Sequence, residues 1–215
     1  MKHDSKIYVA GHTGLVGSSI LGALSDHGFS EIITRTHKEL DLADRSQVEQ
    51  FLASEKPEYI FLAAARVGGI LAKKTLGGDF IRENLYTQTN AKDISYRTGV
   101  KKFNFIDSNC AYPRLSPNPL KEEYLLTGES EPTNLPFAVA KIIGIKMYEA
   151  YKNQFGFNAL KIMPSGVYGP GESFNPEEGY VITGVMRRFH EAKSRNERTA
   201  AIWGSGEPLR EFINS

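Results

Sequence analysis

The amino-acid sequence predicts an α/β protein built on a doubly wound parallel sheet. Three features carry this expectation: short, continuously apolar runs that suit strands buried on both faces, helical-period stripes between them, and a glycine-rich turn joining the first strand to the first helix. Right-handed crossovers then place helices on both faces of the sheet.

The elements follow in order. Ile7-Tyr8-Val9-Ala10 is a four-residue apolar run closed by glycine, and Leu15, Val16, Ile20, Leu21 and Leu24 follow at helical spacing up to a stop at Gly28. Glu31 to Arg35 reads as the second strand, and Val48, Phe51 and Leu52 mark one face of a helix that ends before Pro57. Tyr59 to Ala63 is the third strand. An amphipathic stretch from Asp79 to Arg97 precedes Phe103 to Ile106, and a helix through Ala140, Ile143, Met147 and Tyr151 precedes Ala159 to Met163. Beyond Met163 the pattern turns proline- and glycine-rich, from Pro164 to Gly171, and a basic helix follows around Val185 to Lys193. The expected division is therefore a domain over 1–163 and part of a smaller lobe over 164–215. No helix or cap closes the segment Arg210 to Ser215, so the chain is expected to end inside that lobe.

Composition narrows the function. With 215 residues, 40% of them hydrophobic and 24% charged, the chain can bury a core and is not disordered. Lys and Arg number 26 against 25 Asp and Glu, a net charge of +1 that argues against a nucleic-acid or anionic-membrane footprint and toward a small-molecule partner. The single cysteine, Cys110, excludes an internal disulfide and a multi-thiolate zinc site. The five histidines include no pair at metal-ligand spacing, so no metal is expected. The first residues lack a signal-peptide core and no later run is long enough to span a bilayer, so the expected location is cytoplasmic.

Gly11-His12-Thr13-Gly14-Leu15-Val16-Gly17 directly follows the first strand and opens the first helix, which is the context of a phosphate cradle in a Rossmann-type dinucleotide fold. Glycines allow the tight turn and the close approach of backbone N–H groups to a pyrophosphate, and the helix N-terminus adds a partial positive charge. An NAD site places a carboxylate at the end of the second strand; here Arg35 stands there, followed by His37 and Lys38. A guanidinium suits a 2′-phosphate, so NADP is the expected cofactor, against the alternative that these are solvated surface charges. Asp41 accepts from the adenine amine, with Leu42 flanking the ring, or else serves as a carboxylate at the start of the next helix.

Several longer motifs carry a resemblance: Leu62-Ala63-Ala64-Ala65-Arg66-Val67-Gly68-Gly69-Ile70, Ser108-Asn109-Cys110-Ala111-Tyr112-Pro113, Glu131-Pro132-Thr133-Asn134, Arg187-Arg188-Phe189-His190-Glu191-Ala192, and Trp203 through Phe212. With the glycine turn, they make the chain resemble the extended short-chain dehydrogenase/reductases and, within them, the GDP-L-fucose synthases, almost from end to end. The resemblance implies NADPH-dependent reduction of a 4-keto-6-deoxy nucleotide sugar after epimerisation at the two carbons flanking the ketone. It also implies a longer chain that completes the sugar-binding lobe, and a homodimer paired through the helices after Asp79 and after Phe137. By the same resemblance, the cofactor is held by Gly11, Thr13, Gly14, Leu15, Val16, Gly17, Arg35, Asp41, Leu42, Ala63, Ala65, Ile106, Lys141, Pro164, Gly166 and Val167.

In that family a Ser and a Tyr bind the ketone oxygen, the Tyr donates the proton, and a Lys lowers the Tyr pKa and holds the nicotinamide ribose. Ser108 and Lys141 fall in the matching places, but the family's Tyr is Phe137 in Phe137-Ala138-Val139-Ala140-Lys141. A phenyl ring has no proton to give. Loss of a positioned general acid costs a factor of about 10² to 10⁴, ~3 to 5 kcal/mol of barrier, so hydride transfer is expected to be slow unless Ser108 or a water substitutes. Epimerisation in the family uses a Cys and a His; Cys110 matches the Cys, its pKa open to lowering by a positive nicotinamide, and Tyr180 replaces the His. A phenol titrates near ~10, so it is a poorer acid at neutral pH than an imidazolium. The nucleotide-diphosphate contacts map onto Arg188, Trp203 and Arg210, where guanidinium groups suit the diphosphate and indole packs on a base or sugar. Two alternatives stay open: a non-catalytic protein that binds NADP or a nucleotide sugar, and a C4 reductase without epimerase activity.

Overall fold

The computed structural model describes residues 1–175, 180–202, 204–207 and 209–215. Strands β1 (Ile7–Ala10), β2 (Ile32–Arg35), β3 (Tyr59–Leu62), β4 (Lys102–Ile106) and β5 (Ala159–Ile162) form one sheet in the order β2-β1-β3-β4-β5, parallel throughout. The helices are α1 (Leu15–Asp26), α2 (Arg45–Glu55), α3 (Ile70–Thr75), α4 (Gly77–Arg97), α5 (Leu135–Phe155) and α6 (Val181–Ser194). This is the Rossmann-type sheet that the apolar runs predict.

Alternation along β1 explains the layers. Tyr8 and Ala10 face one core with Leu52, Ile94, Phe103 and Phe105, while Ile7 and Val9 face the other with Leu24 of α1. The register sets Ala10 beside both Arg35 and Leu62, and Leu62 beside Phe105. The strand ends are therefore level, and the residues just beyond them emerge along one edge. The chain leaves β1 for β2 on one side and β3 on the other, which makes the gap above β1 the switch point where open α/β sheets bind ligands.

Local chemistry ends the helices where expected. The Asp44 carboxylate caps α2 by accepting from the Ser46 and Gln47 N–H groups, and Gly156 closes α5 at φ +66°. Asp41 is thus not the residue that starts α2; its carboxylate accepts from the Ala43 N–H at 2.9 Å in the turn before. Near the C-terminal end, β6 (Gly166–Tyr168) pairs in parallel with β7 (Phe212–Asn214). No strand was expected at either place, because three residues are too few for a periodic signal.

The long helices α4 and α5 lie against each other through polar contacts as well as apolar ones. Gln88 donates to the Ala140 carbonyl and Lys92 to the Gly144 carbonyl. Gly144 is required there, since a Cβ would stand 2.6 Å from Gln88 Oε1 and 2.9 Å from Phe105 Cζ. Lys92 is buried, its ammonium 3.7 Å from the centroid of the Phe105 ring, and burial pulls its pKa down to about 7. The unfolded chain keeps this proton up to ~10.4. It therefore binds more protons than the folded protein above about 7, and Lys92 makes stability rise with pH across that window. Lys92→Met is expected to flatten the rise between neutral and alkaline pH in denaturant unfolding; an unchanged slope would contradict the burial argument.

Candidate active site

A cavity of about 1030 Å³ opens at the carboxyl ends of β1 to β4. One half is the glycine turn. Gly11 has φ +84°, and a Cβ there would meet Ala64 N at 2.6 Å; a Cβ on Gly17 would stand 2.0 Å from Gly11 O. Gly14 precedes α1 without any side-chain cap, so the first N–H groups of the helix face the cavity without an internal acceptor. Thr13, Leu15, Val16, Ala63, Ala65, Asp41 and Leu42 complete this half.

Arg35 lines the rim, as expected, but it is not free. Its guanidinium pairs with Glu55 at 2.8 Å and lies 5.4 Å from the centroid of the Phe51 ring. His37 also lines the cavity, and its imidazole is 3.8 Å from Asp41.

The other half collects the groups suited to chemistry. Phe137 and Lys141 are one turn apart on α5 and so share a face. The Lys141 ammonium donates to the Ile106 carbonyl at 2.9 Å and lies 5.7 Å from the centroid of the Phe137 ring. Burial holds the Lys141 pKa below the usual lysine value, with Asp107 and Cys110 opposing. Ser108 caps the short 3-10 turn of 109–111 through its hydroxyl, which accepts from the Cys110 N–H at 3.4 Å. Burial pushes the Cys110 thiol above its ordinary value, only partly offset by Ser108, Lys73 and Asn134. The protein's own surroundings thus work against the thiolate that the sequence reading expects a bound nicotinamide to favour. Tyr180 precedes α6 and lines the cavity while remaining exposed overall; desolvation, then Cys110 and Glu172, push its phenol up to about 12.

Pro164, Gly166, Val167, Ile106 and Arg210 also line the cavity. Arg188, on α6, is outside its lining, and Trp203 lies outside the described residues. The structure therefore brings together the expected dinucleotide contacts and the residues Ser108, Cys110, Phe137, Lys141 and Tyr180, while Arg188 stands apart.

Among the lining residues not singled out from the sequence, Asp107 and Lys73 bear most on the chemistry. Asp107 follows β4 and is buried with both carboxylate oxygens lacking a hydrogen-bond partner among the described residues. Burial raises it to about 6 against the opposing charges of Lys141 and Lys92. Its signal was available, since it stands just past the carboxyl end of a parallel strand, the edge of the sheet where open α/β folds bind ligands. Lys73, near the end of α3, places its ammonium 4.6 Å from the centroid of the Phe137 ring. In sequence it is half of a Lys73-Lys74 pair and reads as a solvated face.

Residues 7–215 match the model of the NAD dependent epimerase/dehydratase family. GDP-L-fucose synthase 1 of Arabidopsis thaliana is 49% identical over 211 residues, which is 98% of this chain and 65% of that protein. GDP-L-fucose synthase of Escherichia coli K12 is 43% identical over 209 residues, 97% of this chain and 65% of that protein. The chain thus spans slightly less than two thirds of either relative's length. Among solved structures, MlghC, a GDP-mannoheptose C4 reductase from Campylobacter jejuni with NADP bound, superposes with a TM-score of 0.91 at 37% identity, covering 100% of this chain and 70% of that one. Strand order, glycine turn and family match agree: the chain belongs to the NAD dependent epimerase/dehydratase family.

Proposed function

We propose that this protein reduces a 4-keto-6-deoxy nucleotide sugar with NADPH, in the manner of a GDP-L-fucose synthase, and that its epimerising half is weakened. The observation that carries the reading is the convergence of the glycine turn with Ser108, Phe137 and Lys141 on one cavity. The names of the relatives, and of the NADP-bound C4 reductase, support GDP as the nucleotide and NADP as the cofactor.

The residues fit a phosphorylated dinucleotide. The uncapped N-terminus of α1 and the glycines of the turn would take the pyrophosphate, Asp41 and Leu42 would border the adenine, and Arg35 would take the 2′-phosphate. Lys141 would hold the nicotinamide ribose, and Ile106, Pro164, Gly166 and Val167 would stand around the ring. When bound, the reduced dinucleotide supplies a hydride to the keto carbon. Ser108 Oγ donates a hydrogen bond to the keto oxygen, and Phe137 fills the place of an acid without being one. Arg210 takes the sugar-nucleotide diphosphate, with Arg188 and Trp203 as further contacts. Cys110 and Tyr180 flank the sugar, but both hold their protons tightly at neutral pH, which slows proton removal and return at the neighbouring carbons.

We assign 1–163 to dinucleotide binding and 164–215 to part of the substrate lobe. Among the described residues no helix is long and apolar enough to cross a membrane. Near-neutral charge and a lone cysteine support a cytoplasmic location. A homodimer pairs through α4 and α5, and gel filtration that finds only monomer at micromolar concentration would contradict it.

Mixing the protein with NADPH and GDP-4-keto-6-deoxy-mannose is expected to oxidise the NADPH; tight binding of both without oxidation would instead mark a non-catalytic binding protein. Arg35→Ala is expected to lower NADPH affinity by about 10- to 100-fold, the loss of a charged hydrogen bond of ~1.5–3 kcal/mol, while leaving NADH affinity unchanged. An equal loss for both dinucleotides would remove Arg35 from the 2′-phosphate.

A further inference from the structure

A cavity that reduces a ketone needs a proton donor for the nascent alkoxide, and the position that the family gives to tyrosine is here a phenyl ring. Ser108 Oγ can hydrogen-bond the oxygen but is too weak an acid to supply its proton alone, and the other proton-bearing side chains of the lining include Tyr180, Cys110, Asp107 and Lys73. The Tyr180 phenol, pushed up to about 12, and the Cys110 thiol, raised by burial, are weak acids at neutral pH. The Asp107 carboxyl, at about 6, is mostly ionised there and faces the Lys141 and Lys92 charges. Lys73 remains. It lines the same cavity, and its ammonium lies over the ring of Phe137.

We propose, resting on the reductase reading above, that Lys73 is the general acid of this site and delivers from Nζ the proton that Phe137 cannot. As the keto carbon accepts a hydride from the reduced dinucleotide, the carbonyl π pair moves to oxygen, an O–H bond forms and one Nζ–H bond of Lys73 breaks. The ketone becomes an alcohol, the dinucleotide is oxidised, and the neutral amine regains its proton from solvent. The aromatic face holds the amine in place by a cation–π contact that releases it more easily than a carboxylate would.

The surroundings favour proton release. Burial holds Lys73 below the ordinary lysine pKa, and Cys110 is the one group opposing it. Of the carboxylates near it, Asp79 and Glu83 of α4 pair with Arg82 and Arg66, Glu131 pairs with Arg114, and Asp107 faces the Lys141 and Lys92 charges. Lys74 on the same helix adds only like charge.

The test uses Lys73→Met, Lys73→Arg and Phe137→Tyr, alone and with K73M and F137Y combined. The substrates are NADPH and GDP-4-keto-6-deoxy-mannose, and NADPH affinity is measured by calorimetry. K73M is expected to lower kcat at least about 100-fold with KM and NADPH affinity little changed. K73R, which keeps the charge but not the labile proton, is expected to lose turnover likewise. K73M/F137Y is expected to regain it, because the tyrosine resupplies an acid beside Lys141. Wild-type kcat should fall as pH rises through the Lys73 pKa, and F137Y should blunt that fall. Independently of turnover, the pH dependence of Lys73 acylation, followed by mass spectrometry of the protein alone, should titrate below the ordinary lysine value.

Retained kcat in K73M or K73R overturns the proposal. So does a rise in KM alone, which would make Lys73 a substrate anchor, or a K73M/F137Y double variant that stays inactive. Turnover by F137Y but not by wild type overturns it while sparing the reductase reading. Binding of NADPH without turnover by either overturns both.

Discussion

Gly17→Ala is expected to abolish measurable NADPH binding and to lower the melting temperature. A methyl group at this position would stand 2.0 Å from Gly11 O and 2.5 Å from Gly11 C. Both atoms are backbone, so no side chain can swing aside, and either the turn opens or α1 lifts off the sheet. Overpacking of this kind costs about 1–3 kcal/mol, or about 2–4 °C of melting temperature per kcal/mol for a chain of this size. The loss of affinity is larger, at least about 100-fold, because the pyrophosphate depends on several N–H groups converging at once. Gly22→Ala is the matched control. It lies in the same helix with nothing within 4 Å of the added Cβ, and replacing a mid-helix glycine there is expected to stabilise by about 0.5–1 kcal/mol with binding intact. Equal behaviour of the two variants in calorimetry and thermal melts would contradict the cradle.

Lys141→Met is expected to separate binding from stability. Its ammonium is the only cation here in hydrogen-bond contact with the Ile106 carbonyl among the described residues, and it is 4% exposed. On the proposed role at the ribose, its loss should weaken NADPH by about 10- to 100-fold and cut turnover further. Leaving the Ile106 carbonyl without a partner costs about 1–3 kcal/mol, but removing a buried cation returns a similar amount, so the melting temperature should move little. Because burial holds Lys141 below the usual lysine value, its stability penalty is greatest while it is still protonated and fades as pH rises toward the unfolded-state pKa. K141M should therefore gain stability relative to wild type at the acid side of that window and lose the advantage at the alkaline side. Unchanged NADPH affinity would contradict the assigned role.

Much of this was legible in the sequence for physical reasons. β1 is buried on both faces, so Ile7 to Ala10 must be continuously apolar, and the glycines of the turn are forced by backbone crowding. Phe137 and Lys141 share a helix face by spacing alone. What stayed hidden depends on distant partners. Arg35 is met by Glu55, twenty residues away, and nothing local predicts that pair. Asp41 and Asp44 both suit a helix start, and only the backbone decides for Asp44. Strands β6 and β7 are each three residues and owe their pairing to each other. Lys73 is an ordinary charged residue in sequence, and burial in the cavity alone gives it chemical significance.

Hydrogen–deuterium exchange with and without NADPH tests the central claim most directly, that the glycine turn and the Ser108–Lys141 cluster serve one dinucleotide. The account predicts that NADPH slows exchange together in residues 11–17 and 106–110. Protection confined to one of these segments, or absent from both at saturating NADPH, would contradict it.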